Sequence, residues 1–255
     1  MHTEIKILPV TGIGDIRPGD DLGLLIYNAL KQQQITPRQG DVLVITQKII
    51  SKAEGRLVRL DEIEPSPFAL QYAERYQKDP QHVEVVLRES KRIVRMDHGV
   101  MICETQHGFI CANAGVDESN IGGERVLALL PEDSDRSARQ IRQRIQSLIN
   151  DDDNTDFAII VSDTWGRPWR NGQVNMAIGV AGMEPLSDYR GQNDPYGYEL
   201  HASVIGVADE LASAAELVMG KVDRVPVALL RGYTYKSGQG SGSELIRDGA
   251  TDMFR

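Results

Sequence analysis

The sequence predicts a mixed α/β fold, and three observations carry that prediction. Apolar runs of strand length recur along the chain, among them VLVIT at 42–46, FAIIV at 157–161 and VPVALLR at 225–231. Amphipathic stretches of helix length lie between them, notably LGLLIYNALK at 22–31 and SDRSARQIRQRIQSLIN at 134–150. Glycines or charged residues follow most of the strands directly, as they do where an α/β sheet carries ligand loops at its strand ends. The 255 residues, 41% hydrophobic and 25% charged, suffice for a sizeable core, and no composition break divides them, so 1–255 reads as one catalytic-size unit.

Element by element, EIKIL at 4–8 alternates polar and apolar and reads as a strand ended by Pro9. Asp20 or Asp21 then caps a helix reaching about Lys31. VLVIT is the second strand, followed by QKIISKAEG. Helices are expected over Pro67–Gln77 and Gln81–Ser90, each introduced by a capping residue and a proline. RIVRM, MICET and FICAN read as three strands joined by DHG and QHG turns, with His98 and His107 in solvent. In AGVDESN, an Asx turn or a helix N-cap before Ile121 is one reading. Ser134–Asn150 is an amphipathic helix, NDDDNTD a solvated acidic connection, and FAIIV a strand that opens onto the loop SDTWGRPWRNG. MAIGVAG and ASVIGVAD read as strands, ADELASAAELVMG as a helix and VPVALLRGY as the last strand, with KSGQGSG a mobile tail.

Composition excludes several classes. A net charge of −9 argues against nucleic acid or an anionic membrane as partner, while leaving room for a local cationic cluster around a small anion. No run approaches the roughly 20 apolar residues of a membrane span, and the N-terminus lacks a signal-peptide pattern. The two cysteines, Cys103 and Cys111, are too few for a disulfide framework and read as small buried side chains, which points to the reducing cytoplasm. No Cys/His set has zinc spacing, and no nucleophile elbow is present.

Four segments carry the candidate chemistry. In LPVTGIGDI, Gly12 and Gly14 let backbone approach a phosphate, although a tight turn explains them equally well. Lys48 and Lys52, four apart, present two ammonium groups on one helical face, suited to phosphate oxygens or to solvent. Asp117 and Asn120 offer hard oxygen and amide groups after a strand. The fourth segment, SDTWGRPWRNG, holds both tryptophans, Trp165 and Trp169, with Asp163, Thr164, Arg167 and Arg170. An acid beside a hydroxyl suits a hydrated divalent ion, the arginine forks suit carboxylate or phosphate, and the indoles suit a planar ring.

Taken together, LPV-x-GI, GDDL, GDVLVI…ISKAEGR, NAGVD-x-SN, SDT-x-GRPWR-x-G, GVAGM…YGYEL and VADELA-x-AAELVMG resemble the coenzyme F-420 gamma-glutamyl ligases, in that family's order, from about Leu8 to Tyr233. The resemblance implies an intertwined homodimer with mixed sheets. It implies that the amine of L-glutamate is joined to a carboxylate on a deazaflavin phospholactate precursor, with GTP consumed through an acyl phosphate. It further implies magnesium or manganese, with potassium as an additional ion, held by Asp117 and Asp163 with Thr164 beside the second ion, and Lys52 among the catalytic groups. Nucleotide contacts are implied at Thr11, Gly12, Ile13, Gly14, Gln47, Lys48, Lys52 and Asn120, and in the loop Met219, Gly220, Lys221, Val222 and Asp223. Residue chemistry adds Arg167 and Arg170 as clamps for glutamate or the acceptor's phosphate, and Trp165 or Trp169 against the deazaflavin. Other readings are a ligase of this fold acting on another acceptor or amino acid, and a nucleotide-responsive binding protein without turnover.

The chain departs from the family pattern in places. Gly14 stands where many relatives have proline, and Gln47–Lys48 where some have a Ser/Thr pair. Lys221 follows LVMG where many relatives carry Gln or Glu, and a cation there either leaves the second metal position incomplete or itself meets phosphate. The reductase-type domain that some relatives carry is not expected after DMFR.

Overall fold

The computed structural model describes residues 4–121, 124–149 and 155–253. Strand β1 is Lys6–Val10, two residues later than its alternation suggested, with Pro9 inside it. Among the described residues β1 is the edge of its sheet and pairs with a single neighbour, which is where a residue lacking an N–H is tolerated. Helix α1, Leu22–Gln32, starts where Asp21 accepts a hydrogen bond from the Leu24 N–H. Strand β2 is Val42–Thr46, and the chain passes without a loop into helix α2, Gln47–Ala53.

The next stretch builds a separate apolar cluster. It comprises β3 (Leu57–Arg59), α3 (Pro67–Tyr76), α4 (Pro80–Glu89), β4 (Ser90–Asp97), β5 (Val100–Thr105), β6 (Ile110–Ala112), β7 (Asp117–Ile121) and β8 (Glu124–Ala128). Ser66 and Asp79 cap the two helices and a proline opens each, as their sequences indicated. Two three-stranded sheets, β3-β8-β7 and β4-β5-β6, enclose Tyr72, Val83, Val86, Met101, Cys103 and Leu127. The expected helix cap at Asp117–Ile121 is instead strand β7, because its backbone pairs in register with β8. His98 is exposed as expected, whereas His107 is half-buried, with Nε2 3.1 Å from the Glu132 carbonyl oxygen.

Helix α5, Ser134–Leu148, is capped by Asp133; most of the acidic run after it lies outside the described residues. Strands β9 (Ala158–Arg167) and β10 (Arg170–Ala181) follow, then the short pair β11 (Ser187–Asp188) and β12 (Val204–Ile205). Helix α6, Val207–Met219, takes residues that ASVIGVAD had suggested as strand, so that strand shrinks to two residues. Strand β13 is Val227–Arg231.

The main sheet has the order β1-β13-β2-β9-β10, with β2 and β9 its one parallel pair. Both faces are covered, which is why its central strands read as continuous apolar runs. Leu43, Ile45, Ile159, Val161 and Leu229 face α1 and α5, while Val44, Ala158, Ile160, Ala228 and Leu230 face α6.

A register shift in β10 between Ala177 and Gly179 frees backbone donors, and acids from both helix layers take them. Ala177 N–H donates to Asp209 of α6 at 2.8 Å, and Val180 N–H to Asp135 of α5 at 2.7 Å. The α5 terminus comes so close that a Cβ on Gly179 would lie 2.5 Å from the Ser134 carbonyl carbon. Gly179→Val is therefore expected to destabilise the protein by ~1–3 kcal/mol. A urea midpoint unchanged from wild type would show that the contact yields freely.

The glycine- and serine-rich tail is seated rather than loose. The Ser241 hydroxyl donates to Asp135 at 2.5 Å, Gly242 N–H donates to the same carboxylate at 2.9 Å, and Gly240 and Gly242 are buried. Glycine serves there because the segment lies flat on other backbone: a Cβ on Gly242 would stand 2.7 Å from the Ile178 oxygen.

Candidate active site

The parallel pairing of β2 with β9 ends at Thr46 opposite Ser162, and a cleft of about 1130 Å3 opens beyond it. Such a position, outside the carboxyl ends of parallel strands, is where α/β sheets bind ligands. The segment SDTWGRPWRNG is not a loop. Strand β9 continues through Arg167 and turns back at Pro168–Trp169 into β10, so the polar residues are held by a backbone ladder. Along the hairpin the pleat sorts them: Asp163, Trp165 and Arg167 alternate with Ser162, Thr164 and Gly166.

Asp163 and Asp117 both line the cleft. Burial, aided by the Asp117 charge, pushes the Asp163 carboxyl up to about 6, against the opposing pull of the Thr164 backbone N–H, the Trp165 indole N–H at 3.3 Å and the Lys221 charge. Asp117 carries an ion pair from Lys48, with Nζ 2.6 Å from Oδ2. The Thr164 hydroxyl donates to Asn175 Oδ1 at 2.8 Å and accepts from the Lys221 ammonium. Among the described residues no three His, Cys, Asp or Glu side chains converge. An ion here would rest on the two aspartates, with hydroxyl or water completing its shell. An all-oxygen pair with a half-buried, partly uncompensated carboxylate fits a hard divalent cation.

Of the other anticipated residues, Ile13, Gly14, Lys52, Met219 and Gly220 line the cleft along with Lys48 and Lys221. Gln47 lines it too, but its side-chain oxygen is taken by the Ser51 hydroxyl at 2.7 Å. Arg167 and Trp165 face the cleft, Trp165 packing edge-on against Phe109 with centroids 5.4 Å apart. Arg167 keeps a buried Nε with no hydrogen-bond partner, while its Nη2 donates to the Asn171 oxygen at 3.0 Å. Thr11, Gly12, Val222, Asp223 and Arg170 do not line the cleft. Thr11 N–H instead donates to Gln33 at 2.8 Å, and Val222 is 87% exposed. Trp169 sits at the hairpin tip, 82% exposed, because a two-residue turn points it away from the sheet. The side chain of Asn120 lies outside the described residues.

Sequence reasoning missed three features. Asn113, Ala114 and Gly115 all have positive φ (51°, 53° and 70°), a left-handed turn that delivers β7, and with it Asp117, to the cleft. Glycine at the third position also admits Leu130, whose Cγ would stand 2.9 Å from an added Cβ. Asn175, reaching Thr164 from the opposite strand, gives no local signal. Asp15 and Arg224 pair at 2.6 Å across the cleft rim from loops 209 residues apart in sequence.

The cysteines face each other in register across β5 and β6 as free, buried thiols. Cys111 lines the cleft, yet burial, aided by the Asp163 charge, pushes its thiol up to about 12. A raised value leaves the thiol protonated until pH approaches 12, with roughly one in 10,000 ionised at pH 8. Native protein is therefore expected to resist iodoacetamide at pH 8, while the denatured chain takes a label at both cysteines. Rapid native labelling at Cys111, read by peptide mass mapping, would contradict this.

No helix among the described residues is long and apolar enough to cross a membrane. Residues 12–232 match the F420-0:Gamma-glutamyl ligase family. The chain is 44% identical over 254 residues to the coenzyme F420:L-glutamate ligase of Methanothermobacter thermautotrophicus, covering 98% of this chain and 99% of that protein. It is 46% identical over 256 residues to the enzyme of the same name from Methanopyrus kandleri, covering 98% of each. It is 44% identical over 217 residues to that of Methanocaldococcus jannaschii, covering 85% of each. With the family matched across most of its length and near-full-length relatives well above 30% identity, the chain belongs to the F420-0:gamma-glutamyl ligase family.

Proposed function

We propose that this protein joins the amine of L-glutamate to the carboxylate of a deazaflavin phospholactate precursor of coenzyme F420, with GTP supplying the driving force. The observation that carries the reading is the acid pair Asp117 and Asp163 in one cleft with Lys48, Lys52 and Lys221, on a chain of this family. Activation transfers the terminal phosphoryl group of GTP to the acceptor carboxylate, releasing GDP. The glutamate nitrogen then attacks the acyl carbon, phosphate leaves, and the amine loses a proton. Both steps bring anions together, so cationic groups must offset charge on two sides of the phosphoryl group. At ~4 Å and an effective dielectric of about 20, each unit-charge contact is worth on the order of 4 kcal/mol before desolvation.

Lys48 and Lys52, one helical turn apart on α2, and Lys221 after α6 face the cleft and serve the nucleotide's phosphates. Asp117 and Asp163 hold magnesium or manganese, which when bound polarises phosphoryl oxygens as a Lewis acid. Arg167 takes the acceptor's phosphate or the glutamate carboxylate through its guanidinium, and Trp165 stacks against the deazaflavin. Arg170 and Trp169 are less suited to these roles, since neither lines the cleft. The chain works as a homodimer in this reading. Its exposed tyrosines at 189, 196 and 198 lie in the segment joining β11 to β12 and offer a surface for a second copy. Sedimentation at a single-chain mass would refute that part.

The experiment for the reaction is mass spectrometry after incubating the protein with the precursor, L-glutamate, GTP and Mn2+. A product heavier by one or more glutamyl units, formed with stoichiometric GDP, is expected. Folded, GTP-binding protein that yields no such product would overturn the assigned substrates.

A further inference from the structure

Each of the two cleft carboxylates has a lysine ammonium close by. Lys48 Nζ lies 2.6 Å from Asp117 Oδ2, and the Lys221 ammonium rests on Thr164, where its charge acts on Asp163. The Lys48–Asp117 pair is open to solvent, with side chains 39% and 52% exposed, so it is weak and readily exchanged. Lys48 also shares a face of α2 with Lys52, and both line the cleft.

We propose that Lys48 is a switching cation that couples divalent metal to nucleoside triphosphate. Without nucleotide, its ammonium occupies Asp117 and repels a dication from the acid pair. A polyphosphate gives that ammonium another anionic partner, beside Lys52, and leaves Asp117 free for the metal. Each ligand therefore strengthens the other, and the coupling is reciprocal. This rests on the assignment of Asp117 and Asp163 as the metal site and adds the order that Lys48 imposes. Lys52, with no acid contact among the described pairs, has no such gating role.

The test is Mn2+ binding to the full chain, measured by water-proton relaxation enhancement, which separates protein-bound Mn2+ from the Mn2+–GTP complex, with and without saturating GTP. Wild type, Lys48→Met and Lys52→Met are compared. Lys48→Met is expected to bind Mn2+ alone about tenfold more tightly than wild type, and to lose most of the further tightening that GTP brings. Lys52→Met should bind Mn2+ alone within twofold of wild type, while both variants bind GTP more weakly. Equal Mn2+ affinity of wild type and Lys48→Met without nucleotide would overturn the switching role and leave the metal site standing. An equal gain in both lysine variants would reduce the effect to through-space charge and also overturn it. No Mn2+ binding in any variant, with or without GTP, would overturn the metal site along with the switch.

Discussion

Asp163→Asn is expected to lower glutamate-dependent turnover by ~10^3-fold, about 4 kcal/mol in the transition state, while leaving the fold intact. The two halves of the expectation share one cause. Asp163 sits where burial and the Asp117 charge already push its carboxyl up to about 6, so the folded protein disfavours its negative charge. A neutral amide of the same shape relieves that penalty, and the variant should melt at or above the wild-type temperature without metal. The same substitution removes the half-buried charge that the proposed metal needs, and catalysis collapses. Product measured by mass spectrometry and stability measured by thermal melting separate the effects. Turnover within tenfold of wild type would remove Asp163 from the machinery, and a large loss of stability would contradict its electrostatic account.

The largest stability effect is expected away from the cleft, at Asp41. This carboxylate is 1% exposed and accepts a forked pair from Arg231, at 2.8 Å from Nε and 2.6 Å from Nη2, with a further hydrogen bond from Arg38 N–H at 2.8 Å. The Arg231 Nη2 also donates to the Thr36 oxygen, tying the last strand of the sheet to the turn before β2. Asp41→Ala leaves the guanidinium half-buried without its partner, which typically costs about 3–5 kcal/mol. Guanidinium-chloride denaturation should show that loss with an unchanged slope. A loss below about 1 kcal/mol would mean that water replaces the carboxylate.

The elements legible in the sequence are those whose signal is local. Asp21, Ser66 and Asp79 sit at helix starts, where a side-chain oxygen satisfies a nearby N–H, and VLVIT and FAIIV are apolar because the sheet is covered on both faces. The misread elements depend on partners distant in sequence. SDTWGR looked like a loop because it is polar, but its extended form comes from pairing with 170–177. DESNI looked like a cap, but β8 makes it a strand. The tail looked free because glycine and serine favour no structure, but Asp135 and the Ile178 backbone hold it.

The sequence by itself determined the family, the alternation of helices and strands, and the inventory of acids, lysines and arginines available for chemistry. Side-chain type and short-range spacing suffice for those. Only the tertiary structure decided which of them meet. Asp117 and Asp163 are 46 residues apart in number and share one cleft because a left-handed turn at 113–115 and the part of β9 just past its pairing with β2 converge there. Trp165 enters that cleft and Trp169 leaves it, although they stand four residues apart, because a strand's pleat and a two-residue turn aim them differently. Convergence of this kind depends on sheet order and pairing register, which no short window of residues encodes.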